Sequence, residues 1–136
     1  GTTYATLTAT AAAFSTSITS SHATAGIGYA TGAGGTVAQL TNKSTGVTLN
    51  TVTGIITMNN ASLAADTTVA FTLTDSAIAL TDAVVVLHES AGTIGAYSFG
   101  STAGGGSVAI SVHNNTPGAL GEAIVLRFAV IKSVNA

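Results

Sequence analysis

The chain has 136 residues, no cysteine and only eight fully charged side chains, three Lys/Arg and five Asp/Glu, for a formal net charge of −2. Three basic residues exclude a nucleic-acid binder working by phosphate neutralisation and a polybasic membrane-surface patch. The absence of Cys excludes a disulfide scaffold, a zinc–thiolate site and a thiol nucleophile, and no apolar run reaches the 18 residues a membrane-crossing helix needs.

Within residues 1–26, the runs 4–10 and 14–19 alternate at period two but carry little apolar bulk. Tyr4, Leu7, Phe14 and Ile18 stand nearly alone among Thr, Ser and Ala. Such strands build no core of their own, and the segment reads as an extended arm, as a first hairpin of the same sandwich or as a loose tail. As an arm it would add to a neighbour's sheet edge, which makes Tyr4, Leu7, Phe14, Ile18 and Tyr29 the candidate interface residues.

From residue 27 onward the pattern is that of one all-β domain, residues 27–136. Val69, Phe71 and Leu73 face one way, as do Val108, Ile110 and Val112, with small or hydroxylic residues between them. Residues 84–87 form a continuous apolar run of the kind found in a buried strand. Residues 123–131 place Ile124, Leu126, Phe128 and Val130 on one face and Val125, Arg127 and Ile131 on the other, which predicts a central strand covered on both sides. Phe14, Phe71, Phe99 and Phe128 read as core. Gly, Asn and Asp clusters recur between these runs, so about eight strands in a β-sandwich, jelly-roll-like, are expected.

Candidate chemical sites weigh poorly against their structural alternatives. The Gly32-Ala33-Gly34-Gly35 stretch lacks the Gly-Lys step and the helix of a phosphate loop, and reads as a turn. Ser98, in Ala96-Tyr97-Ser98-Phe99-Gly100, has no strand–turn–helix context and reads as a strand serine. His22, His88 and His113 lie far apart, and His88 and Glu89 point to opposite faces of a strand. Asp75 and Asp82 read as turn residues that accept local backbone N–H groups. The triplets beginning at Asn42, Asn60 and Asn114 match a glycosylation pattern, as chance produces in a Thr- and Ser-rich chain. No catalytic, cofactor or metal constellation is predicted, and the chain reads as a non-enzyme.

The stretch Gly26-Ile27-Gly28-Tyr29-Ala30-Thr31-Gly32-Ala33-Gly34-Gly35-Thr36-Val37-Ala38-Gln39 resembles a structural module of tailed-bacteriophage virions. So do Thr41-Asn42-Lys43-Ser44-Thr45-Gly46-Val47-Thr48-Leu49-Asn50, Gly54-Ile55-Ile56-Thr57-Met58 and residues 122–132. The resemblance spans residues 26–136 and carries no catalytic residues. It implies a capsid decoration (cement) protein on the outer surface of the virion, a homo-oligomer, most simply a trimer, with the major capsid protein as partner. A receptor- or glycan-binding domain of a tail or head fibre is the alternative, with residues 75–82 and 88–97 as its loops. A filament subunit joined through residues 1–26 is the third reading.

Overall fold

A computed structural model describes residues 14–135, all of them strand, turn or irregular chain. No helix among them is long and apolar enough to cross a membrane. Eight strands form: β1 (Gly34–Ala38), β2 (Val47–Thr48), β3 (Thr53–Thr57), β4 (Thr67–Thr74), β5 (Ala83–Ser90), β6 (Tyr97–Gly104), β7 (Ser107–Asn114) and β8 (Val125–Ile131). They make two four-stranded sheets, β1-β3-β8-β5 and β2-β4-β7-β6. The protein is a β-sandwich, as the period-two pattern predicts.

The register follows from that pattern. Phe71 lies opposite Ile110 and Leu73 opposite Val108, so the apolar alternates of β4 and β7 share the inner face. Against them the first sheet presents Ile56, Val84, Leu126, Phe128 and Val130. Met58, Leu63, Ile78 and Ile124 close the ends of this core.

Connectivity is less regular than the strand count. Successive strands β1 to β6 switch sheets, and only β6–β7 is a tight hairpin, turned by Gly105 and Gly106, the latter at φ 77°. Because β2 intervenes between β1 and β3, and β3 between β2 and β4, both pairs are parallel. An all-antiparallel Greek-key jelly roll has no such edge pairs.

The packing of β3 depends on missing side chains. Gly54 pairs with Gly35, and Leu49 covers both. A Cβ on Gly54 would come within 2.7 Å of Leu49 Cδ2 and 2.8 Å of Phe128 Cε1. These two glycines therefore let a core leucine and phenylalanine approach the backbone.

Two strands differ from expectation. In β5, Val84 is buried but Val85 and Leu87 are 41% and 56% exposed, so the apolar run is not a strand enclosed on both faces. In β8, an interior strand of its sheet, Arg127 and Ile131 face solvent, so the far side is open. Residues 14–26 form no strand and are exposed throughout. Phe14 is therefore not a core residue, whereas Phe71 and Phe128 are buried and Phe99 half-buried.

Candidate functional site

The chemistry-bearing side chains are mostly committed within the fold. Lys43, 4% exposed, donates from Nζ to the carbonyls of Asn59 (2.7 Å) and Glu122. Burial pushes its ammonium pKa down, and the Glu122 charge opposes the shift. Gln39 sits beside it, donating to the Lys43 and Thr45 carbonyls and accepting from the Asn59 N–H. A buried lysine is not legible here, since Asn42-Lys43-Ser44 has the composition of an exposed turn. Asn42 does make that turn, accepting from the Ser44 N–H through Oδ1.

Glu122 accepts from the Thr93 N–H and hydroxyl and from the Tyr97 hydroxyl. The Thr93 bonds, then the Tyr97 bond, hold its carboxyl below the usual range. Tyr97 is pushed well above the ordinary phenol value by burial and by that carboxylate. Asp82 accepts from the Ala79 N–H at 2.8 Å and pairs with Lys132 at 2.6 Å, and both interactions lower its pKa. Asp75 accepts from the Ala77 N–H, yet its Oδ2 is buried without a partner. Burial raises its pKa against the opposing pull of the Ala77 and Thr51 N–H groups and of Lys132. Both aspartates are thus turn residues, as expected.

The remaining charges are paired on the surface. Arg127 holds Glu89 in a bidentate pair, with both bonds at 2.7 Å, and that contact lowers the Glu89 pKa. Asp66 lies 3.2 Å from His113 Nε2. All eight charged side chains fall within the described residues, and each is buried or engaged by another polar side chain.

The two outer sheet faces therefore carry little charge. The outer face of the β2-β4-β7-β6 sheet carries Thr68, Ala70, Thr72 and Thr74 beside Ser107, Ala109, Ser111 and His113, with Ser98, Gly100 and Thr102 alongside. Thr68 bonds His113 across the strands at 2.9 Å, and Ser98 is the strand serine predicted, bonded to Asn115. The outer face of the other sheet is more apolar toward β5: Val85, Leu87, Ala129, Ile131 and Ile55 lie around the single Arg127–Glu89 pair, with Thr36 and Thr53 on the β1–β3 side.

A cleft of about 440 Å³ opens beside the β5–β6 loop, between His88 and Tyr97. Its polar groups are already occupied: His88 Nε2 contacts the Ala91 carbonyl at 2.7 Å, Tyr97 bonds Glu122, and Glu89 bonds Arg127. His88 shares the inner side of its strand with Val84 and Val86 and packs edge-on against Tyr97. Among the described residues no three His, Asp or Glu side chains gather as a metal set. Asn114, first residue of a glycosylation-type triplet, is fully buried, donating to the carbonyls of Leu63, Ala64 and Gly118. That position offers no room for a glycan.

The candidate interface residues are not brought together as one site. Phe14 and Ile18 are exposed in irregular chain, and Tyr4 and Leu7 lie outside the described residues. Tyr29 is half-exposed and donates its hydroxyl to the Val130 carbonyl, so that Ile27, Gly28 and Tyr29 lie against the end of β8. Sequence reasoning missed the residues that form the apolar face, Ile55, Val85, Leu87 and Ile131. Their signal, a second apolar face along β5 and β8, is visible in the sequence. No family model matches the chain, and no curated protein or solved structure matches it.

Proposed function

We propose that the protein is a capsid decoration (cement) protein of a tailed bacteriophage, working as a homo-oligomer on the outer surface of the head. The observation that carries this reading is that every charged side chain is buried or engaged by another polar side chain of the same chain, which leaves two broad sheet faces with little charge. Interface cores are depleted in charge, and a part covered by its neighbours needs no charged surface for solubility. Three of the four stretches that resemble virion modules hold β1, β3 and β8, consecutive neighbours in one sheet, and the fourth holds β2 at the edge of the other.

The mechanism is mechanical. Each copy buries neutral surface against other copies and against the major capsid protein, so that capsomers are bridged and internal pressure is resisted. Individually weak contacts add up when many are made at once. A fibre-tip receptor or glycan domain is the alternative; it would use the cleft between His88 and Tyr97, whose polar groups are already spent on internal bonds. The test is the location and copy number of the protein on particles by cryo-EM. Lattice-wide copies support the cement reading, and a few copies at fibre tips overturn it.

A further inference from the structure

Three of the four sheet edges are protected within the chain. β5 and β6, edges of different sheets, meet along one side of the sandwich, where Ser101 donates to the Val84 carbonyl and His88 packs against Tyr97 and Phe99. β2 is only two residues long. β1 differs: it is a five-residue edge strand, Gly34–Ala38, with no charge, proline or bulge, the devices that normally blunt an edge. The Gln39 N–H bonds the Thr57 carbonyl, so the odd residues of β1 turn their main chain toward β3, and Gly34, Thr36 and Ala38 turn theirs away. No strand receives those groups among the described residues. The core is also thin on this side: Val37, the only bulky inward side chain of β1, is half-buried, and so is Leu49, which covers Gly35.

We infer that residues 4–10 of a neighbouring copy add to β1 as a further strand. These residues lie outside the described ones, and their sequence fits the edge. Tyr4, Thr6, Thr8 and Thr10 alternate with Ala5, Leu7 and Ala9. One face of such a strand is hydroxylic, like exposed Thr36, and the other offers a single bulky group between two small ones. Level with Val37, Leu7 completes the cover over Val37 and Leu49, while Gly34, Thr36 and Ala38 gain main-chain partners. Seven residues are enough to span the five of β1. The donor is a neighbour because the connecting segment leaves its own domain. Beyond the anchor of Tyr29 on β8, residues 14–26 are exposed throughout, Phe14 and Ile18 included. The hydrogen bonds of Ser20, Thr24 and Ala25 stay within that segment.

This inference rests on the self-association in the proposed function and not on the capsid. Sedimentation equilibrium of the full chain, from micromolar to millimolar protein, tests it, with circular dichroism to check the fold of each variant. The wild type is expected to associate. Thr36→Pro, whose missing N–H takes nothing from the β1–β3 ladder, and Leu7→Lys are each expected to weaken association about tenfold or more. Leu7→Lys changes no described residue and serves if Thr36→Pro does not fold. The chain holds no cysteine, so an introduced pair reports one contact. Leu7→Cys mixed with Val37→Cys is expected to give a disulfide-linked pair on oxidation, and neither variant alone is expected to do so.

A wild type that stays monomeric, an oligomer indifferent to both Leu7→Lys and Thr36→Pro, or a mixture that yields no linked pair would overturn the inference. So would a disulfide that forms only when both cysteines are placed in one chain, since the segment would then lie on its own domain. Few copies per particle would remove the decoration reading and leave the strand exchange standing. A monomer in solution that nonetheless covers the whole lattice would do the reverse.

Discussion

Tyr97 donates its hydroxyl proton to Glu122 Oε2 at 2.7 Å, joining the first residue of β6 to the segment that leads into β8. The same carboxylate collects both Thr93 donors, while the Glu122 carbonyl receives buried Lys43. One residue thus gathers three loops at one end of the sandwich. Tyr97→Phe is expected to cost about 1 kcal/mol at neutral pH, one hydrogen bond to a charged acceptor in a partly exposed setting. The folded state holds the Glu122 pKa down, so this contribution is present above the ordinary carboxylate range and is lost as pH falls below it toward and through the lower folded-state value. Denaturant melts of both proteins at neutral and acid pH should show the gap narrowing on acidification.

Asp75 has the opposite sign. Burial raises its pKa, so ionisation is easier in the unfolded chain, and the penalty grows as pH rises above about 4 toward the folded-state value. Asp75→Asn keeps the acceptor for the Ala77 N–H and removes the buried charge. The variant is expected to melt about 2–4 °C higher at neutral pH, with the gain shrinking below about pH 4. A scan of melting temperature against pH for the two proteins checks this.

Lys43→Met should destabilise by about 2 kcal/mol, because the Asn59 and Glu122 carbonyls lose their donor while the apolar stem is roughly conserved. Chemical denaturation at constant m-value is the measurement. A neutral outcome would mean that water replaces the ammonium at both carbonyls.

Gly54→Ala tests the close approach at the sheet centre. Its Cβ would sit within 3 Å of Leu49 and Phe128, and forced repacking costs typically about 1–3 kcal/mol. A second substitution, Leu49→Ala, should relieve part of the clash, so the double mutant should lose less than the sum of the single losses.

Much of the fold is legible because side-chain alternation is a local signal. Val69, Phe71 and Leu73 facing Val108, Ile110 and Val112 require only that apolar alternates find one another. Strand order is not local, and nothing in the residues of β1 or β2 announces that each will pair in parallel two strands later. The open face of the first sheet was misread for a related reason. Val84, Val85, Val86 and Leu87 report that both sides of β5 are apolar, and the sequence does not say whether the second cover is the same chain or another. Lys43 escaped because burial of an ammonium group is decided by carbonyls 16 and 79 residues away.

The central proposal is that this chain decorates a phage head and is covered there in turn. Cryo-EM of particles that carry the protein, with copy number counted against the major capsid protein, tests it most directly. The account predicts copies at equivalent positions across the whole lattice, with the neutral sheet faces buried. A few copies confined to a vertex or a fibre tip would contradict it.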